Sequence, residues 1–350
     1  MLKKIPILTL IACFIVSSAV GQKLDKYADL ITEDLLYKHL SILADDGFEG
    51  RETTTKGQFE AGYYIASQLQ SLGIEPVVPV TGNYKSYFQW FNVYINGKRQ
   101  KLSLENVSDS AKYHQALTMN VMGMIKGSEK PEEYVVVSAH YDHIGISANG
   151  EINNGADDDG SGTAALLSIA KAFSEAKKEG KGPKKSILFL FVAGEEKGLL
   201  GSKYFTDIAP AVPLDKIMCD LNIDMIGRVD TNHTSEKYIY VIGADKISSK
   251  LDEISKEVNK NTINYDLDYT YNNETDPNRF YYRSDHYNFA KHRIPVIFFF
   301  TGVHEDYHKP GDDIDKILFL KYSNITKFIF QLTSTLANLE GTLPRDSNKK

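Results

Sequence analysis

Ile187-Leu188-Phe189-Leu190-Phe191-Val192-Ala193-Gly194-Glu195-Glu196 is an unbroken apolar run of strand length that stops at a glycine and two adjacent carboxylates. Four other runs of similar length and mostly apolar character follow the same form: Tyr134–Ser138, Ile217–Ile223, Tyr238–Ile242 and Val296–Phe300. Between them, Gly162–Ala176 and Leu200–Ile208 read as helices, and Ile247–Asn259 is amphipathic at helical spacing. Strands alternating with helices imply an α/β fold whose mixed, largely parallel central sheet is covered on both faces. The expected architecture is a single three-layer α/β/α domain.

Outward from this core, Leu24 to Leu43 reads as a helix, with Leu35, Leu36, Leu40 and Leu43 at helical spacing. Gly47 to Lys56 is polar and reads as a loop, and Gln58 to Leu72 is a second helix stopped by Gly73. Tyr84 to Leu104 is rich in aromatic and β-branched residues and is interrupted by Asn96-Gly97, which predicts a hairpin. A last helix is expected from Ile317 to about Asn338. No repeat and no Pro- or Gly-rich linker divides the chain.

The chain has 350 residues and 42% hydrophobic composition, enough for a full core. Lys3 and Lys4, an apolar stretch from Ile5 to Val16 and the small residues up to Gly21 form a secretory signal peptide pattern, with cleavage expected before Gln22. The stretch is too short for a membrane span. Leu10-Ile11-Ala12-Cys13 offers a competing lipoprotein reading, with Cys13 as the anchor. Either way the protein is expected to be exported, periplasmic or secreted. Cleavage before Gln22 leaves Cys219 as the lone cysteine, so stability must come from packing or bound metal rather than a disulfide. It also leaves 38 basic against 46 acidic residues, a formal charge of −8, with no basic patch that would suit nucleic acid.

The chemistry lies just after the strands. Ligands gather beyond the carboxyl ends of strands in open α/β sheets. His140 follows Tyr134–Ser138, Glu195 and Glu196 follow Ile187–Ala193, Asp224 ends Ile217–Ile223, and His308 sits in the loop after Val296–Phe300. Asp158 lies within Gly155-Ala156-Asp157-Asp158-Asp159-Gly160-Ser161-Gly162, where adjacent carboxylates at a helix start call for a compensating cation. Each residue alone has an ordinary explanation. His140 and His308 suit surface loops, Glu195-Glu196 suits a solvated pair, Asp159 suits a helix cap, and Asp224 suits a partner such as Arg228. Together they supply the oxygen and imidazole donors that two metal ions need, with one carboxylate placed to bridge. Asp142 is a candidate partner for the second ring nitrogen of His140. Tyr307 is a candidate donor to a developing oxyanion. Ser284-Asp285-His286 is not a serine triad, because three consecutive residues do not converge and no nucleophile elbow is present. The chain therefore divides into a signal peptide over 1–21 and one domain over 22–345, with N-terminal helices and hairpin (22–120) and a metal-binding core (121–345).

This set, in this order, resembles the di-zinc exopeptidases of metallopeptidase family twenty-eight, clan MH. The resemblance runs from about Leu40 to Ile317 and includes Leu43-Ala44-Asp45-Asp46-Gly47-Phe48-Glu49-Gly50-Arg51, similar to the segment preceding the core in bacterial members. It implies two Zn2+ ions: His140 and Asp224 on one, Glu196 and His308 on the other, and Asp158 bridging. It further implies that Glu195 is the general base and acid, relaying a proton from the metal-bridged water to the leaving amine. Tyr307 then supports the oxyanion, Arg283 lies near the substrate and Asp142 partners His140. Too few residues separate Val77-Val78 from Asn120-Val121 for the protease-associated domain of larger relatives. The compact bacterial form implies an aminopeptidase acting on peptides. A carboxypeptidase or dipeptidase, with Arg279 or Arg283 for the substrate carboxylate, is the rival on the same scaffold. A single-zinc glutaminyl cyclase uses fewer ligands than are present, and a non-catalytic binding ectodomain would have lost some of them.

Overall fold

Ten strands form the main sheet of the computed structural model, which describes residues 25–82, 84–96, 101–105 and 113–347. The signal peptide, Cys13 and Gly97 lie outside the described residues. Eight strands matter for the site: β1 (Phe88–Asn96), β2 (Tyr113–Ile125), β3 (Lys130–His140), β4 (Lys185–Val192), β5 (Ile217–Ile223), β6 (Tyr238–Ile242), β7 (Asp266–Asp268) and β8 (Val296–Phe300). Their order across the sheet is β7-β6-β8-β5-β3-β4-β2-β1. The central four, β8, β5, β3 and β4, are mutually parallel, whereas β6 joins β8 and β2 joins β4 in antiparallel sense. The expected mixed, largely parallel sheet is the observed one.

Side-chain alternation explains the layers. Val135, Val137, Phe189, Phe191, Leu221 and Phe299 point to one face and pack with the long helices α1 (Glu33–Leu43), α2 (Lys56–Ser71), α3 (Gly162–Lys178), α4 (Ser249–Asn261) and α5 (Phe319–Ala337). Val136, Leu188, Leu190 and Val192 point to the other and pack with Phe205 and Phe289, from short helical segments. All eight residues of β4 are buried, the signature of a strand covered on both sides. Met225, Tyr240, Phe280, Phe298 and Phe300 form a separate aromatic cluster at the end of the sheet where the candidate ligands lie.

Several boundaries differ from expectation. The first helix is broken: Asp25–Ala28 and α1 are separate, because the Thr32 hydroxyl caps α1 by accepting from the Leu35 amide (3.1 Å). The Leu200–Ile208 helix continues as a wider π-turn from Tyr204. The hairpin is present, with Asn96 opposite Lys101. The 13-residue strand β2 was not expected, since Asn120 and Gly123 interrupt its apolar pattern. Both are used. A side chain at Gly123 would meet Ile74 at 2.8 Å. Asn120, fully buried, accepts from the Ala193 amide (3.1 Å) and donates to the Gly201 carbonyl and Gln89, each at 2.9 Å.

Asn120 thus ties the antiparallel flank to the turn carrying Glu195 and Glu196. Asn120→Leu would leave the Ala193 amide and the Gly201 carbonyl without this partner, at about 1–3 kcal/mol per buried orphan. A fall in urea midpoint corresponding to roughly 2 kcal/mol or more, with unchanged m-value, is the expected outcome; an unaltered midpoint would show that Asn120 holds nothing.

Candidate metal centre

The parallel strands bring every expected ligand to one rim. β3 ends on His140, the turn after β4 carries Glu195 and Glu196, Asp224 directly follows β5, and the loop after β8 carries His308. Asp158 reaches the same place from the segment Ala156–Ser161 that opens α3, through a cis peptide to Asp159.

Asp158 sits between two donor groups. Its Oδ1 lies 3.3 Å from His140 Nε2, which lies 3.7 Å from Asp224 Oδ1. Its Oδ2 lies 3.1 Å from His308 Nε2, which is also 3.1 Å from Glu196 Oε2. Two donors bound at zinc distances and a tetrahedral angle stand about 3.3–3.5 Å apart, so these separations match edges of metal coordination shells. Asp158 Oδ2 and Glu196 Oε1 are buried, and the nearest polar groups facing them are imidazole nitrogens, from His308 at 3.1 Å and His143 at 2.9 Å. Buried carboxylate oxygens are costly unless a cation, a protonated ring or a metal ion, satisfies them. The donors present fit metal ions.

The charges agree. Burial would raise the Asp158 carboxyl, yet His143, His140 and His308 hold it well below the carboxylate range. Burial and Asp158 work against ionisation of Glu196, but His143 and His308 still pull it down. Burial would lower His308; Asp158 and Glu196 instead lift it to about 10. The carboxylates therefore hold a positive charge, and a metal ion would take the place of the imidazole proton. Glu195 behaves differently: desolvation, with Glu196, Asp224 and Asp285, pushes it well above the carboxylate range against the pull of His140.

Around the donors, each orientation has a visible cause. His140 Nδ1 lies 3.0 Å from the Asp142 backbone carbonyl, while the Asp142 carboxylate, the partner expected from sequence, is 3.9 Å away. That carboxylate instead accepts from the Thr53 hydroxyl (2.6 Å) and the Glu195 amide (3.2 Å), linking the β3 and β4 turns. Asp224 accepts from the Ser284 hydroxyl at 2.6 Å. Arg228, the alternative partner considered for Asp224, pairs with Asp306 at 2.7 Å. Asp159 Oδ1 accepts from the amides of Gly162 (2.9 Å), the first residue of α3, and Met225 (3.1 Å), while its Oδ2 is buried without a hydrogen-bond partner near His140 and Asp224. Ser202 donates to Asp285, and both ring nitrogens of His286 lack hydrogen-bond partners, so Ser284-Asp285-His286 forms no relay.

Tyr307 stacks on His308, with ring centroids 3.9 Å apart, and its hydroxyl accepts from Arg283 Nη2 at 3.4 Å. Both residues line a cleft shared by His140, Asp158, Glu195 and Asp224 and walled by Met225, Phe280, Phe298, Phe300 and Val303.

Three supporting residues escaped the sequence reading. Arg51, fully buried, donates to the carbonyls of Leu43, Asn154, Tyr141 and Gly155 at 2.6–3.0 Å, binding the end of α1 to both metal loops. Asp312 accepts from the amides of Asp157 and Asp158. His143 joins Asp158 and Glu196 in a second group of potential ligands, beside the group of His140, Asp159 and Asp224. Its only sequence signal is an imidazole three residues after His140.

The sequence profile of peptidase family M28 matches residues 120–333, more than half of the chain. The chain belongs to peptidase family M28. Aminopeptidase YwaD of Bacillus subtilis is 28% identical over 255 residues, covering 69% of this M28 chain and 51% of that protein. The chain thus spans about half the length of this curated relative. Among solved structures, the Legionella pneumophila LapA aminopeptidase superposes with a TM-score of 0.66 at 19% identity, covering 91% of this chain and 75% of LapA. A Bacteroides thetaiotaomicron glutaminyl cyclase gives 0.61 at 17% identity, covering 87% and 98%. At such identities the likeness is one of fold, and the M28 fold hosts both chemistries.

Zinc should stabilise this M28 domain by binding only its folded form, by about 2.7 kcal/mol at a hundredfold excess over Kd. Differential scanning fluorimetry is expected to show the midpoint falling with a chelator and recovering with added zinc. A midpoint indifferent to both would remove metal from this centre.

Proposed function

We propose that this M28 protein is an exported aminopeptidase that removes N-terminal residues from peptides with two zinc ions per chain. The observation that carries the reading is Asp158, whose two oxygens face two separate donor groups while Glu195 lines the same cleft. When bound, the zinc ions would lower the pKa of water and polarise the scissile carbonyl. His140 and Asp224 would hold one, Glu196 and His308 the other, and Asp158 both.

Glu195 takes the proton of the attacking water and delivers it to the leaving amine. Desolvation, which disfavours its carboxylate, suits a group that must hold a proton between those two events. Tyr307 donates its hydroxyl to the oxygen that gains charge, and Arg283 holds that phenol in place. Asp142 contributes through the backbone: its carboxylate fixes the Glu195 amide and its carbonyl fixes the His140 ring. The wall of Met225, Phe280, Phe298, Phe300 and Val303 favours an apolar side chain on the residue removed. Export rests on the leader pattern of residues 1–21, and among the described residues no helix is long and apolar enough to cross a membrane.

One observation favours a second reading, that of a carboxypeptidase or dipeptidase. Arg283 lines the cleft, its guanidinium 5.0 Å from the centre of the Phe280 ring and its Nη2 3.4 Å from the Tyr307 hydroxyl. A substrate carboxylate would fit there.

Purified residues 22–350, assayed on leucyl- and phenylalanyl-nitroanilide and on N-blocked peptides with free carboxyl ends, separate these readings. Chelator-sensitive cleavage of the nitroanilides alone is the expected outcome. Cleavage of the blocked peptides alone would transfer the assignment to a carboxypeptidase.

Glu195→Gln is expected to lower kcat by about 10²–10⁴ while zinc binding persists. A variant with full turnover would take the proton-transfer role away from Glu195.

A further inference from the structure

His143 is buried beside the metal centre, and no expectation from the sequence accounts for it. It follows Asp142 in the turn after β3, where its amide donates to the Arg51 carbonyl (3.2 Å) and Glu52 pairs with it in a parallel bridge. Its ring is fully buried, and neither ring nitrogen has a hydrogen-bond partner. Nδ1 nevertheless stands 2.9 Å from Glu196 Oε1 and 3.7 Å from Asp158 Oδ2. The ring meets that of His308 edge-on, with centroids 5.7 Å apart.

A second observation points to the same place. Gly155 has φ +55°, and a Cβ there would stand 2.5 Å from His143 Cγ and Cδ2. The loop opening the Asp158 segment is therefore bare of side chain where the imidazole lies. Nδ1 faces only carboxylates that are themselves proposed metal ligands, and Nε2 is buried without a partner, which is costly for an ordinary core histidine.

The geometry points to His143 as a fourth protein ligand, through Nδ1, for the second metal ion; this rests on the two-metal reading above. Donors at zinc distances and a tetrahedral angle are about 3.3–3.5 Å apart. The separations in this group are 2.9, 3.7, 3.1 and 3.1 Å, which bracket that edge. His143, Asp158, Glu196 and His308 would then hold the second ion, and His140, Asp158 and Asp224 the first, beside Asp159, whose Oδ2 is also buried without a hydrogen-bond partner.

Two imidazoles would fall to the second ion and one, that of His140, to the first. Glu195 lines the cleft with His140, Asp158 and Asp224, where Met225, Phe298 and Phe300 form the wall.

The test starts with wild-type residues 22–350 loaded with two equivalents of zinc. X-ray absorption fine structure should count three imidazoles over the two ions, from His140, His143 and His308. A count of two overturns the assignment. Competition with a chromogenic chelator should give two zinc ions per chain. His143→Ala should weaken one of them by more than about 100-fold, since losing even an outer partner costs about 10–100-fold. The other should change less than about threefold, and the visible spectrum of protein loaded with two cobalt equivalents should change. A His143→Ala protein with native circular dichroism and both wild-type affinities would reduce His143 to packing. His143→Gln serves if the alanine variant does not fold, and the wild-type imidazole count decides the matter without either. Failure of the wild-type chain to bind zinc at all would overturn the two-metal reading itself, a result distinct from a two-imidazole count.

Discussion

Everything at the rim depends on keeping one buried carboxylate ionised and pointed two ways. Asp158 is 3% exposed, and burial alone would protonate it. It stays ionised because three imidazoles surround it, and it stays oriented because the backbone around it is held on several sides. Asp312 accepts its amide, Arg51 holds the carbonyls of Asn154 and Gly155, and Asp157 accepts the Gly227 amide at 2.6 Å. Arg51 is the residue that joins these demands: a buried guanidinium can hold several carbonyls in a fixed fork while adding positive charge near a cluster of acids. Binding this one charge costs the fold several buried polar groups, which the parallel sheet can hold because its strands end together.

The sheet was legible in the sequence because its central strands are buried on both faces, and such strands read as continuous apolar runs. Their carboxyl ends located His140, Glu195, Glu196, Asp224 and His308. Strand β2 was hidden for the opposite reason. Its Asn120 satisfies a backbone amide and carbonyl on other elements, so a polar residue stands in the middle of a buried strand. The broken first helix likewise turns on one hydroxyl, Thr32, within an otherwise helical pattern.

The supporting residues were hidden because their partners are distant in the chain. Arg51 meets Tyr141, and Thr53 meets Asp142, across about ninety positions. A polar loop at residues 47–56 gives no local sign that it will be folded under the metal centre. His143 was hidden differently: it sits beside residues already singled out, and spacing alone cannot tell that both nearby imidazoles turn inward. The Asp142 contact shows the limit of reading roles by residue type, since the atom nearest His140 Nδ1 is a main-chain oxygen that any residue would supply.

The donors are covered unevenly. The side chain of His308 is 36% exposed, whereas His140, His143, Asp158, Glu196 and Asp224 are each at 10% or less. Its backbone has a positive φ of 57°, and the turn carrying it is pinned by Asp306, which pairs with Arg228 and Lys316. On the two-metal reading, an ion entering the second group would meet His308 first on the way in and last on the way out. The speed of metal exchange would then follow a surface turn and two ion pairs, and the affinity would follow the buried donors. Retention over time and strength of binding would in this way fall to different parts of the same protein.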